Sequence, residues 1–183
     1  MKVEATALPD VVALVPPVFA DDRGYFSESF NMKAFADLTG FDGEFVQDNQ
    51  SSSRRGVIRG LHYQLPPDSQ GKLVCCVRGE VYDVAVDIRA SSATFGQWAG
   101  ATLSDENHRQ LWVPAGFAHG FLAMSEGAGL LYKTTGYYVP DSERSILWND
   151  PTIAIDWPDV GIDPILNDRD RAAPALESAD TFP

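Results

Sequence analysis

Two short stretches hold the residue types that proton chemistry needs. They are Arg59-Gly-Leu-His62-Tyr63-Gln64, followed by Lys72, and Gly129-Leu-Leu-Tyr132-Lys133. Each lies in an alternating, β-branched or aromatic run that predicts a strand. The first brings a guanidinium, an imidazole and an ammonium within the length of one hairpin, and the second supplies a phenol. A base, a cation and a phenolic acid on rigid strands suit proton removal beside a ketone whose molecule carries an anionic handle. The chain has only three histidines, which makes His62 the first candidate base.

Each of these residues also has a structural reading. His62 could be a core histidine satisfied by a backbone carbonyl. Strand alternation puts Arg59, three residues earlier, on the opposite face, and Gly60 offers a bulge that would turn both inward. Lys72 opens the next strand and would lie beside His62 across the pair. His119 sits in Pro114-Ala-Gly-Phe-Ala-His119-Gly-Phe, a turn feeding a strand, where fixing the turn and donating to a substrate oxygen are both open readings. His108 falls in a polar turn and reads as a surface residue. Tyr132 could be a buried tyrosine with a satisfied hydroxyl; Tyr137 and Tyr138 follow closely, and one of them could be a stacking platform. The acidic candidates are Glu28, Glu143, Asp168 and Asp170, the last two in a tail segment that by itself reads as a solvated charge run. Metal-binding β-barrels usually offer two histidines one residue apart on a strand, plus a carboxylate and a later histidine. Here the position two after His62 is Gln64, so the site is read as metal-free.

The elements that must carry these residues are mostly strands. Val57 to Tyr63, Lys72 to Val77, Val81 to Ile88, Gln97 to Leu103, Gln110 to Val113, Ala118 to Met124 and Leu130 to Val139 read as β, punctuated by Gly or Pro at the spacing of a sandwich or barrel. Tyr82, Val84, Val86 and Ile88 make one face apolar; Asp83, Asp87 and Arg89 make the other the solvent or ligand side. Arg78-Gly79-Glu80 predicts a tight turn. One helix is predicted over Asn31 to Thr39, with Asn31 as its cap, Met32, Phe35 and Leu38 on one side, and Gly40 at its end. Trp148 to Pro183 has little periodicity and is expected to wrap the outside of the barrel.

Composition narrows the class. At 183 residues, 44% of them hydrophobic, the chain is expected to be a single domain over 1–183 with a real core. Its formal net charge of −12 argues against nucleic acid or an anionic membrane as partner, since both need a basic face. An anionic ligand must then be drawn in by a local cluster, and the candidates are Arg23, Arg54, Arg55, Arg59, Lys72, Arg169 and Arg171. The opening Met-Lys-Val-Glu-Ala-Thr turns acidic too soon for a signal peptide, and no run approaches membrane-spanning length. The two cysteines, Cys75 and Cys76, are adjacent and make no disulfide framework. A cytoplasmic, reduced protein is expected.

In order along the chain, several motifs together resemble the dTDP-4-dehydrorhamnose 3,5-epimerase family. They are Asp22-Arg23-Gly-Tyr-Phe26-Ser-Glu28, Gln47-Asp48-Asn49-Gln-Ser-Ser-Ser, Gly56-Val-Ile-Arg59-Gly-Leu-His62-Tyr-Gln and Gln70-Gly-Lys72. Arg78-Gly-Glu-Val-Tyr-Asp-Val-Ala-Val-Asp87, Pro114-Ala-Gly-Phe-Ala-His119-Gly-Phe and Tyr132-Lys-Thr-Thr with Tyr138 follow. The resemblance implies a mainly β, cupin-type jelly-roll barrel, a homodimer, and catalysis without metal or organic cofactor. It implies a dTDP-sugar substrate inverted at C3 and C5 on the route to dTDP-L-rhamnose. It also implies His62 as general base, Tyr132 as general acid, Asp170 as the carboxylate behind the base, and Lys72 at the developing enolate. Arg23, Phe26, Glu28, Gln47, Asp48, Asn49, Arg59, His119, Glu143 and Arg169 match substrate-binding positions. Tyr138 matches the position that stacks on thymine. Asp170 is chosen over Asp168 because it keeps the family's spacing to Ala173-Pro174, and Arg169 stands where the family often has lysine, which is not an equivalent side chain at close contacts.

Three rival readings share parts of this pattern. An epimerase inverting only C3 or only C5 would keep the same residues. A non-catalytic sugar-nucleotide sensor would have no need of both His62 and Tyr132. A metal-dependent cupin oxygenase is disfavoured by Gln64.

Overall fold

A computed structural model describes residues 1–183. In chain order its strands are β1 (Lys2–Ala5), β2 (Val12–Val15), β3 (Val18–Asp21), β4 (Gly24–Ser27), β5 (Gln47–Ser53), β6 (Ile58–Gln64), β7 (Lys72–Arg78), β8 (Glu80–Asp87), β9 (Trp98–Ser104), β10 (Gln110–Val113), β11 (Phe117–Ala123), β12 (Ala128–Thr134) and β13 (Glu143–Ser145), with helices α1 (Met32–Thr39) and α2 (Asp168–Arg171). Two antiparallel sheets face each other as a jelly roll. One runs β1-β2-β10-β7-β12-β5, the other β13-β6-β11-β8-β9, and β3 pairs only with β4 as a separate hairpin.

The core between the sheets is apolar at one end. Val74, Leu111 and Leu130 from the first sheet meet Val81, Ala85, Leu103, Phe117 and Phe121 from the second. The expected apolar face of β8 instead points outward, where Val84, Val86 and Ile88 are covered by Ile153 and Leu176 of the C-terminal tail. The tail thus wraps the barrel as the sequence predicts, and supplies the apolar cover that lets this strand be buried on both sides. The facing positions on β8 are also buried: Asp83 and Asp87 are fully enclosed and each is paired, Asp83 with His119 and Asp87 with Arg89. Neither therefore faces solvent, because a carboxylate taken out of water needs a partner.

Helix α1 covers the outer face of the other sheet. Asn31 accepts from the Ala34 amide at 3.1 Å, and Gly40 ends the helix at φ 72°, a left-handed cap that suits glycine. Phe35 is fully buried and meets Trp112 edge to face, with ring centroids 5.1 Å apart. Truncating such a side chain costs about 3–5 kcal/mol, so this contact fixes the helix to the barrel.

Two expectations change. The strand predicted over Leu130 to Val139 stops at Thr134, because Thr135 turns back to exchange hydrogen bonds with Gly71. Strands β1 to β5 and β13 form where the sequence predicts none; β5, Gln-Asp-Asn-Gln-Ser-Ser-Ser, carries no apolar side chain because its inward positions face a polar cavity.

Candidate active site

The open end of the barrel forms a cavity of about 370 Å³. His62, Lys72, Tyr132 and Asp170 all line it, as do Gln47, Asn49, Arg59, His119, Tyr138 and Glu143. Its floor and walls also include residues that sequence reasoning did not single out, among them Ser51, Gln70, Phe121 and Asn167. Ser51 continues the inward register of Gln47 and Asn49 on β5, a signal readable only once β5 is known to be a strand.

Strand β6 carries the imidazole. His62 Nε2 lies 2.7 Å from Asp170 Oδ1, and the backbone N–H of Gly60 donates to Asp170 Oδ2 at 3.3 Å. Asp170 is 1% exposed, whereas Asp168 is on the surface. The one-turn α2 makes this choice: Asn167 caps it by accepting from the Asp170 amide at 2.7 Å, which turns Asp170 inward and Asp168 out. Burial alone pushes the Asp170 carboxyl up. The hydrogen bond and charge of His62, together with the Gly60 N–H, outweigh it and hold the carboxyl below its usual range.

Lys72 does not share a hairpin with His62 as the sequence suggested. Its strand, β7, belongs to the opposite sheet, and its Nζ reaches across the barrel to donate to the His62 carbonyl oxygen at 3.1 Å. Burial drives the Lys72 ammonium down to about 8, against the opposing pull of the Glu143 and Asp83 carboxylates. Tyr132, on the neighbouring β12, also projects from this second wall. Its phenol is pushed up by burial, partly offset by the Arg59 charge.

Behind this group His119 is paired with His62 across β6 and β11, and its Nε2 lies 2.9 and 3.0 Å from the two oxygens of Asp83. Arg59 is braced by β5, donating from Nε to Ser53 Oγ at 3.1 Å. At the rim, Tyr138 donates to Glu143 Oε2 at 2.7 Å, and Arg169 reaches the same oxygen at 2.6 Å. Gln64, buried beneath, donates to the carbonyls of Asp68 and Tyr137 and accepts from the Val139 amide, so it clasps the loop that carries Tyr138. No group of three or more His, Cys, Asp or Glu side chains is arranged to hold a metal ion.

Four expected site residues lie elsewhere. Asp48 turns outward, because alternation along β5 gives the cavity to Gln47 and Asn49, and it pairs with Lys133 at 3.0 Å. Arg23, Phe26 and Glu28 lie on or just beyond the β3–β4 hairpin and do not line the cavity of their own chain; Arg23 is paired only with Asp21. Arg54, Arg55 and Arg171 are exposed and do not line the cavity. His108 is half-buried rather than fully exposed, with its ring 4.8 Å from that of Tyr25.

A family model described as dTDP-4-dehydrorhamnose 3,5-epimerase matches residues 5–178. A dTDP-4-dehydrorhamnose 3,5-epimerase of Pseudomonas aeruginosa is 55% identical over 183 residues, covering 100% of each chain. One from Salmonella typhimurium is 57% identical over 179 residues, covering 98% of this chain and 97% of its own. Among solved structures, the dTDP-6-deoxy-D-glucose-3,5-epimerase of Legionella pneumophila, in complex with dTDP-4-keto-L-rhamnose, superposes with a TM-score of 0.94. It is 50% identical and covers 98% of this chain and 94% of its own.

Proposed function

The chain belongs to the dTDP-4-dehydrorhamnose 3,5-epimerase family, and from that premise we propose how its cavity performs the inversion. The substrate is dTDP-4-dehydro-6-deoxy-D-glucose, and the product, inverted at C3 and C5, is dTDP-4-dehydro-L-rhamnose. The observation that carries the reading is that His62 and Tyr132 project from facing sheets into one cavity. A sugar ring held between them presents one face to a base and the other to an acid, which is what inversion of a carbon requires.

Asp170 takes the N–H at Nε2 of His62, which leaves Nδ1 as the basic nitrogen for the proton on the carbon beside the ketone. The electrons of that C–H bond move onto the C4 oxygen as an enolate. The Lys72 ammonium meets the developing charge in a partly dry site, where such stabilisation is stronger than in water. Tyr132 then returns a proton to the opposite face, and the imidazolium and phenolate are reset by solvent. The same pair serves C3 and C5 in turn. Arg59 and Arg169 hold the diphosphate, a role suited to guanidinium groups, with Gln47, Asn49, His119 and Glu143 as further polar contacts. Tyr138 stacks on thymine.

The working unit of this proposal is a homodimer. The β3–β4 hairpin pairs with nothing else in the chain, and Phe19, Tyr25 and Phe26 on it are 62%, 62% and 69% exposed. A second copy accounts both for this apolar arm and for Arg23, Phe26 and Glu28, which would complete the partner's cavity rather than their own.

The test is incubation with dTDP-4-dehydro-6-deoxy-D-glucose in deuterated water, followed by NMR of the product. Inversion with deuterium at both C3 and C5 is expected. Inversion at one centre would make the protein a mono-epimerase, and no exchange at either would remove the epimerase reading.

A further inference from the structure

Arg59 and His62 both line the cavity although they are three residues apart on one strand. Regular alternation forbids this. The register shows how it happens: His62 pairs with His119 and Arg59 with Phe121, so three steps along β6 match two along β11. The surplus is a bulge at Gly60 and Leu61. Leu61 turns to the outer face, where it is fully buried against the tail-side cluster, and the strand resumes with His62 pointing inward.

Only glycines fit on either side of this bulge. Gly60 has φ +141°, a conformation L side chains rarely adopt, and a Cβ there would lie 2.6 Å from Gly120 Cα and 3.1 Å from the His119 carbonyl oxygen. On the facing strand, a Cβ at Gly120 would lie 2.9 Å from both the Arg59 carbonyl oxygen and Leu61 Cδ2. The same bulge turns the Gly60 N–H onto Asp170 Oδ2 while His62 engages Oδ1. One local distortion therefore sets the guanidinium and the imidazole and supplies a second anchor to the Asp170 carboxylate.

We propose, on the reading that His62 is the base, that Gly60 and Gly120 are positioning residues for proton transfer: their close approach fixes the angle at which His62 meets both Asp170 and the substrate. A methyl group between the two strands must push Arg59–Leu61 away from β11. That displaces the imidazole and the Gly60 N–H relative to a carboxylate whose backbone is carried on α2. Misplacement of a reacting group by about 1 Å costs on the order of 10²-fold in rate.

The experiment is Gly120→Ala, with Gly161→Ala as control because a Cβ at Gly161 would meet nothing within 4 Å, so it tests a glycine-to-alanine change without a close contact. In Gly120→Ala, turnover is expected to fall about 10²-fold, and the downfield proton resonance of the His62–Asp170 hydrogen bond is expected to shift or vanish. Gly161→Ala should keep both. Wild-type turnover with an unchanged downfield resonance in Gly120→Ala would overturn the proposal. Should Gly120→Ala fail to fold, the wild-type Gly60 amide still reports. Its resonance should move when Asp170→Asn weakens its acceptor, and identical positions in the two proteins would overturn the shared-carboxylate geometry. These NMR readings do not depend on turnover, so a protein that fails to epimerise the dTDP-sugar would sink the functional reading without deciding this one.

Discussion

Lys72 Nζ donates to the main-chain oxygen of His62 at 3.1 Å, tying together two sheets that share no strand pairing at this point. The ammonium is thereby held over the cavity with most of its hydration removed, and burial lowers its pKa from 10.5 to about 8. If the charged form stabilises the enolate, turnover should fall as pH rises through about 8. Stability should respond in the opposite sense. Between about 8 and 10.5 the unfolded chain binds more protons at this residue than the folded one, so the contribution of Lys72 to folding becomes more favourable as pH rises. A pH–rate profile and a pH series of chemical denaturation check the two signs. In Lys72→Met the stability rise attributable to this residue should disappear and turnover should be largely lost.

Tyr132→Phe should separate proton removal from inversion. His62 and Lys72 remain, so the enolate still forms and His62 can return a solvent-exchanged proton to the original face. Recovered starting material should gain deuterium while inversion falls by about 10²–10⁴-fold, the usual contribution of a general acid or base. Inversion at the wild-type rate would take Tyr132 out of the mechanism.

Tyr138 stands half-exposed at the rim, held through its hydroxyl by Glu143. Stacking of a base on an aromatic ring contributes about 1–3 kcal/mol. Calorimetric titration of Tyr138→Ala with dTDP should show affinity weakened by that amount. Equal affinity for the two proteins would rule out the stack.

Arg23 and His62 should complement each other between subunits. Arg23→Ala and His62→Asn are each expected to be poorly active alone. Mixed under conditions that allow subunits to exchange, they should regain activity, because one cavity in each hybrid dimer would receive an intact arm and an intact base. Mixtures as inactive as their components would show that the arm serves its own chain or none.

Much of this architecture was legible in the residues. Alternation in Val81–Ile88, the Asn31 cap and Gly40 stop of the helix, and the Arg78-Gly79-Glu80 turn follow from local preferences, and local preferences are written locally. The polar strand Gln47–Ser53 was not legible as a strand, because both its faces are wet, one by solvent and one by the cavity, so no apolar period survives. His62 and Tyr132 could be named as candidates from residue type and motif, but their opposition across the cavity could not, since it depends on which sheet each strand joins. Asp170 shows the limit most clearly. By itself it is one acid in an exposed-looking Asp-Arg-Asp-Arg run, and only the one-turn helix of a tail wrapped around the barrel brings it 2.7 Å from an imidazole 108 residues earlier. Side-chain chemistry is a property of the chain, whereas the pairing of distant groups is decided by packing, which sums contributions from every strand between them.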